Sequence, residues 1–163
     1  MVIYTDGACK ENNRVDGVAV GTGGWAFIIL EDKPGKDMEI INKRVGHKDG
    51  TTNQEMEIHA VSEAFSSIDK ASGPITLYSD SAYVINCLKD RWFDKWRANG
   101  WLNSKKQPVE NREEWERLIN LVVKYNVNCF HVKRNSTKYI RMVDSMAKKA
   151  AKMDSILETN QQL

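Results

Sequence analysis

Long apolar runs are missing from this 163-residue sequence. None approaches the ~18–20 residues that a bilayer-crossing helix needs, so a helical membrane protein is excluded. The opening Met1-Val2-Ile3-Tyr4-Thr5-Asp6 lacks the basic-then-apolar layout of a secretory signal. Cysteine is scarce and odd in number. Cys9, Cys87 and Cys129 cannot complete a disulfide framework and lack the paired spacing of a zinc site, which points to a reducing compartment such as the cytoplasm. Internal repeats and low-complexity tracts are also absent. Net charge is nearly so: 24 Lys and Arg against 22 Asp and Glu leave +2, which at face value argues against a polyanionic partner. The location of the charge reverses that impression. Residues 1–87 carry 8 basic and 13 acidic side chains, a net of −5, whereas residues 88–152 carry 16 and 7, a net of +9. Such asymmetry raises the prospect of nucleic acid.

What is present reads as one soluble domain, residues 1–152, followed by a polar C-terminal tail, residues 153–163. Apolar residues make up 41% and charged residues 28%, enough to bury a core. Val2 to Thr5 predicts a short buried strand, and the Asn-, Asp- and Gly-rich residues 10–24 a loop. Trp25 to Leu30 and Met38 to Val45 are expected as strands around a turn at Asp32-Lys33-Pro34-Gly35. Residues 46–52 follow as a polar loop. The pattern then predicts a helix over 53–70, a strand over 75–79, a helix over 81–88, a Trp-rich basic stretch over 89–106 and an amphipathic helix over 111–125. A strand over 127–133, a basic loop over 134–140 and a last helix over 141–152 complete the chain. Strands first, then alternating helices and strands, indicate an α/β fold with a mixed sheet covered by helices.

Acidic residues normally occupy wet faces, so four that do not are informative. Asp6 and Asp80 each follow a buried strand, as a turn former or a helix N-cap would. Glu57 is followed at offsets of 4, 7, 8 and 11 by Val61, Ala64, Phe65 and Ile68, placing it on the apolar stripe of its helix. Glu55 and Glu63 point elsewhere and read as solvent charges. A carboxylate on an apolar stripe costs several kcal/mol unless it is paired or binds a metal. Asp144 is expected in the first turn of the last helix, where it would suit the helix dipole. If the four converge at one sheet edge, they form an oxygen-donor set suited to Mg2+ or Mn2+.

These acids sit in motifs that resemble type 1 ribonuclease H. The matching pieces are Tyr4-Thr5-Asp6-Gly7-Ala8-Cys9, Gly23-Gly24-Trp25, Thr51-Thr52-Asn53-Gln54-Glu55-Met56-Glu57, Tyr78-Ser79-Asp80-Ser81-Ala82-Tyr83-Val84, Trp92, Trp96, Gly100-Trp101, Pro108-Val109-Glu110-Asn111 and Asp144-Ser145-Met146-Ala147. They run in family order across residues 2–151. The resemblance implies a mixed five-stranded sheet, three antiparallel strands then parallel ones, with helices on both faces. It implies Asp6, Glu57, Asp80 and Asp144 as catalytic residues around two Mg2+, for which Mn2+ substitutes. The implied activity is endonucleolytic hydrolysis of the RNA strand of RNA–DNA hybrids, leaving 3′-hydroxyl and 5′-phosphate ends. Two cations ~3.5–4 Å apart suit such an in-line displacement.

The same resemblance assigns hybrid reading to Cys9, Asn12, Asn53 and Gln54, and a DNA-phosphate pocket to Thr52 and Asn111. Lys89, Arg91, Trp92, Lys95, Trp96, Arg97, Lys105 and Lys106 match a basic handle, in which cations grip phosphates and tryptophans pack. The spacing of Trp92 and Trp96 equally suits packing of one helix.

Three departures from the pattern stand out. Asn135 occupies the place of a loop histidine and cannot titrate near neutral pH. Ile140-Arg141-Met142-Val143 replaces a more polar approach to Asp144. Gly50 stands where the phosphate pocket has an arginine, leaving Lys48 or Arg44 as substitutes, while Arg134, Lys138 and Arg141 add cations of their own. The expected protein is a monomeric hybrid nuclease. The alternatives are a related nuclease on the same sheet and a catalytically weak or inactive hybrid-binding homologue.

Overall fold

The β-branched and aromatic segments pair into one five-stranded sheet in the computed structural model, which describes residues 1–71 and 73–153. Its strands are β1 (Val2–Val15), β2 (Val18–Lys33), β3 (Lys36–Thr51), β4 (Ile75–Ser79) and β5 (Val127–His131), in the order β3-β2-β1-β4-β5. β1, β2 and β3 are antiparallel, whereas β4 runs parallel to β1 and β5 parallel to β4. The helices are α1 (Asn53–Ser66), α2 (Ala82–Lys89), α3 (Trp92–Ala98), α4 (Arg112–Val122) and α5 (Lys138–Ala151).

Alternation along β2 sorts two cores. Trp25, Phe27 and Ile29 pack beneath α1 and α4 with Met56, Val61, Phe65, Trp115 and Leu118. Ala26, Ile28 and Leu30 face the other way, against Val143 and Ala147 of α5. A strand covered on both faces is apolar at every position rather than alternating, which is why 26–30 reads as a continuous run.

Two predicted loops are strand. Residues 10–24 pair in register, Lys10 with Thr22 and Arg14 with Ala19, around a two-residue turn at Asp16-Gly17. Both turn residues have positive φ, 50° and 78°, the geometry of a tight hairpin. Gly21, Gly23 and Gly24, which also suggested a loop, serve close approach instead. A Cβ on Gly24 would stand 2.2 Å from the Ala147 carbonyl oxygen, so glycine lets α5 lie directly on the sheet. Residues 46–51 likewise belong to β3, where Gly46 lies under the Trp25 ring.

Helix boundaries shift as well. α1 stops at Ser66, four residues short of the predicted end, and α2 begins at Ala82 with Ser81 as its cap. α4 and β5 are shorter at both or one end than predicted. α5 starts inside the predicted basic loop, because the Thr137 hydroxyl caps it by accepting from the Ile140 amide at 3.2 Å. Asp144 therefore lies in the second turn of α5, beyond the first-turn position where an acid complements the dipole. Of the expected tail, only Met153 falls within the described residues.

Candidate active site

Parallel pairing of β1 with β4 ends at Thr5 opposite Ser79. Asp6 and Asp80 are the next residues, so they emerge side by side where the two strands part, the crevice in which open α/β sheets bind ligands. Gly7 brings the third acid. A Cβ there would lie 2.4 Å from the Glu57 backbone nitrogen, so α1 crosses β1 at a distance only glycine permits. α5, seated on Gly24, delivers Asp144 from the opposite face. Asp6, Glu57, Asp80 and Asp144 line one cavity of about 530 Å³, together with Cys9, Lys10, Asn53, Arg134, Lys148 and Lys152.

Each carboxylate has its own surroundings. Asp6 is 6% exposed and accepts from the Gly7 amide at 2.9 Å. Burial, then the charge of Asp80 and a side-chain hydrogen bond with Asp144, push its carboxyl up to about 9. Glu57 accepts from Ser81 Oγ at 2.8 Å and from Asn53 Nδ2 at 2.9 Å. Burial raises its pKa; the Ser81 bond opposes this, the Asp80 charge adds to it and the Asn53 bond opposes it again. The carbonyl oxygen of Asp80 accepts from His131 Nε2 at 3.2 Å. Asp144 pairs with Lys148 at 3.0 Å and Arg134 at 3.8 Å.

Among the described residues, no three His, Cys, Asp or Glu side chains are gathered closely enough to hold an ion as they stand. Like charges brought together without a counter-ion repel. The donor set itself, four carboxylates with the most buried one forced toward its neutral form, suits hard divalent cations that want oxygen ligands.

The remaining predicted residues divide. Cys9 and Asn53 line the cavity, although Cys9 Sγ donates to the Thr51 carbonyl at 3.4 Å and Asn53 is tied to Glu57. Gln54 is exposed at the start of α1, and the Asn12 side chain falls outside what the structure describes. Thr52 is the cap of α1, its hydroxyl accepting from the Glu55 amide at 3.2 Å. Asn111 lines a second cavity, of about 470 Å³, with Lys48, Glu55, Arg112, Glu113, Glu114 and Arg117. Lys48 thus stands near the pocket that Gly50 leaves without arginine, paired to Glu55; Arg44 does not line it. Gly50 has φ +63°, where an arginine would be strained.

In the handle, Trp92, Trp96, Trp101, Tyr83 and Trp115 form one aromatic cluster, with centroids such as Trp96–Trp101 at 5.7 Å and Tyr83–Trp115 at 5.4 Å. Lys89, Arg91, Lys95, Arg97, Lys105 and Lys106 stay exposed around it, and Arg91 pairs with Asp94 at 2.8 Å. Packing therefore accounts for the tryptophans.

Three sequence readings need correction. Asp80 is not the cap of α2; Ser81 is, accepting from the Val84 amide at 3.3 Å. Glu55 and Glu63 are not free solvent charges. Glu55 pairs with Lys48, and Glu63 with His59 and Arg117. α1 is buried on more than one face, including Met56, Ile58, Ala60 and Ser62, so the stripe through Glu57 was a weaker marker than its spacing suggested. Sequence reasoning missed Lys10, Lys148 and Lys152 as cavity groups and Ser81 as the hydroxyl that holds Glu57; the Asp144/Lys148 spacing of four on a helix was the available signal.

The RNase H family model matches residues 1–152. A ribonuclease H of Thermoanaerobacter sp. (strain X514) is 37% identical over 154 residues, covering 94% of this chain and 90% of the relative. One of Syntrophomonas wolfei is 38% identical over 153 residues, covering 93% and 96%. Among solved structures, LC9-RNase H1, described as a type 1 RNase H with the type 2 active-site motif, superposes with a TM-score of 0.78 at 24% identity, covering 92% of this chain and 71% of that one. LC11-RNase H1, solved in complex with an RNA/DNA hybrid, gives 0.65 at 16% identity, covering 92% and 95%. The structural likenesses bear on the fold.

Proposed function

The chain belongs to the ribonuclease H family, and from that premise we propose that it cuts the RNA strand of RNA–DNA hybrids endonucleolytically, leaving 3′-hydroxyl and 5′-phosphate ends. Membership makes it a nuclease, a phosphodiester hydrolase. The observation that carries the finer reading is the single cavity lined by Asp6, Glu57, Asp80 and Asp144, in which burial and like charge hold Asp6 far above the usual carboxylate range. These four would hold two Mg2+, or Mn2+ in their place. When bound, such ions would activate the attacking water and stabilise the leaving 3′ oxygen.

The protein's own groups set the stage. Ser81 and Asn53 each donate to Glu57 and fix its orientation, and the Gly7 amide holds Asp6. Cys9, Asn12, Asn53 and Gln54 read the 2′-hydroxyls of the RNA strand. Asn111, with Lys48 beside it and Thr52 shaping the start of α1, grips a phosphate of the DNA strand. The cations of the handle extend that grip along the duplex. The protein acts as a monomer in the cytoplasm or another reducing compartment where nucleic acid is copied. Among the described residues no helix is long and apolar enough to cross a membrane.

The test is a cleavage assay on labelled RNA–DNA hybrid, single-stranded RNA, duplex RNA and duplex DNA, each with Mg2+, Mn2+ or a chelator. Metal-dependent cutting of the hybrid alone is expected. Equal cutting of duplex DNA refutes the reading. A second reading, a hybrid-binding homologue that cleaves weakly or not at all, rests on Asn135, which is exposed and does not line the cavity; binding without cutting would favour it.

A further inference from the structure

Both oxygens of the Asp144 carboxylate are already engaged by cations of the chain. Lys148 Nζ lies 3.0 Å from Oδ2, one helical turn along α5, and Arg134 Nη2 lies 3.8 Å from Oδ1, reaching in from the loop before α5. The Asp144 side chain is only 15% exposed, whereas those of Lys148 and Arg134 are 48% and 61% exposed, so the carboxylate is the fixed partner and the cations are the movable ones. The loop is shaped to keep Arg134 there. Asn135 adopts φ 61°, a left-handed conformation that asparagine tolerates better than most residues. Its carbonyl oxygen accepts from Arg141 Nη1 at 3.1 Å, which pins the turn to α5. Lys10 and Lys152 line the same cavity, so its four carboxylates face four basic side chains.

We propose that Arg134 and Lys148 are stand-in cations for Asp144. On arrival of a divalent ion they give up the carboxylate oxygens and turn toward a phosphodiester in the same cavity. The inference rests on the reading of the four carboxylates as a cation site. Charge explains the coupling. Without divalent ions, Lys148 and Arg134 offset the charge of Asp144 and hold it in place, beside the Asp6 carboxyl that hydrogen-bonds to it. Divalent ions displace the two side chains and leave the cavity with surplus positive charge, which an anionic phosphodiester satisfies. Arg134 and Lys148 are thus positioning residues for Asp144 in the free protein and phosphate-facing residues in the loaded one.

The experiment is calorimetric titration of the full chain with Mn2+ alone, in the absence of nucleic acid. Variants are Arg134→Gln, Lys148→Gln, the double substitution and Lys149→Gln. The last is an exposed neighbour of equal charge that does not line the cavity. Removing a competitor tightens binding, by about threefold for either single variant and about tenfold for both, the usual worth of half-exposed ion pairs. Lys149→Gln stays within about 1.5-fold. As a second readout, the Lys148 ammonium nitrogen resonance shifts when Mg2+ is added and that of Lys149 does not. Unchanged or weaker Mn2+ binding in the double variant, or equal tightening in Lys149→Gln, overturns the exchange. If that happens while the wild type still cuts hybrids only with metal, the proposed function stands and this inference alone fails. If the wild type binds no Mn2+, both fail.

Discussion

Replacing Asp6 with asparagine should make the metal-free protein more stable while abolishing cleavage. The reason is linkage. In the unfolded chain the carboxyl titrates near 3.8, whereas in the folded cavity burial, Asp80 and Asp144 push it up to about 9. Below pH 3.8 both states hold the proton and no penalty exists. Between 3.8 and 9 the folded state keeps a proton that the unfolded state has released, so stability falls as pH rises. Each pH unit removes about 1.4 kcal/mol, which brings the penalty at pH 7 to about 4 kcal/mol. Asparagine keeps an oxygen to accept from the Gly7 amide and carries no charge. The protonated Asp6 carboxyl hydrogen-bonds to Asp144, an interaction that asparagine keeps only in part, so the expected gain is about 2–4 kcal/mol, or roughly 5–15 °C in melting temperature for a chain of this size. The assay is thermal melting of wild type and Asp6→Asn in chelator at pH 7 and at about pH 3.5. The gap should be large at pH 7, nearly vanish in acid, and narrow at pH 7 when millimolar Mg2+ stabilises only the wild type. An Asp6→Asn protein that melts at or below wild type at pH 7 in chelator, or a gap equally wide in acid, would refute the argument that like charge and burial strain this cavity.

Three further outcomes follow from the geometry. Gly7→Ala places a Cβ 2.4 Å from backbone atoms of Met56 and Glu57 that cannot swing aside; a loss of about 1–3 kcal/mol in urea unfolding and about a hundredfold in single-turnover cleavage are expected, and wild-type values would show that α1 tolerates displacement. In the handle, the double variant Lys95→Gln/Arg97→Gln should melt like wild type yet reduce the slope of log affinity against log salt by about two, whereas Trp96→Ala, which empties the ring cluster with Trp92, Trp101 and Trp115, should cost about 3 kcal/mol in stability. Asn135→His should fold, because histidine also tolerates the left-handed region, and should add a titration near neutral pH to the cleavage profile; an unchanged pH profile would remove the loop histidine from any role at this position.

The sequence by itself determined the strand cores and the mixed sheet, and its family motifs singled out the four acids, because each depends on local pattern: β-branched runs, apolar periodicity and short motifs that survive without knowledge of neighbours. It misjudged residues 10–24 and 46–51, because a glycine that permits close packing is indistinguishable, in sequence, from a glycine that makes a turn. Only tertiary structure decided between them, by laying α5 on Gly24 and the Trp25 ring on Gly46. The same holds at the site. Asp6 and Asp80 could be read as strand-end acids, but their adjacency arises from the parallel pairing of β1 with β4, a contact between segments some seventy residues apart. Ser81 acquires its role only because the fold sets it beside Glu57, and Asp144 looked like a first-turn acid until the Thr137 cap moved the start of α5 and gave it Lys148 and Arg134 as partners. Residue types are local facts. Which charge faces which is settled by packing alone, since Coulomb interactions and desolvation depend on distances that no one-dimensional spacing encodes.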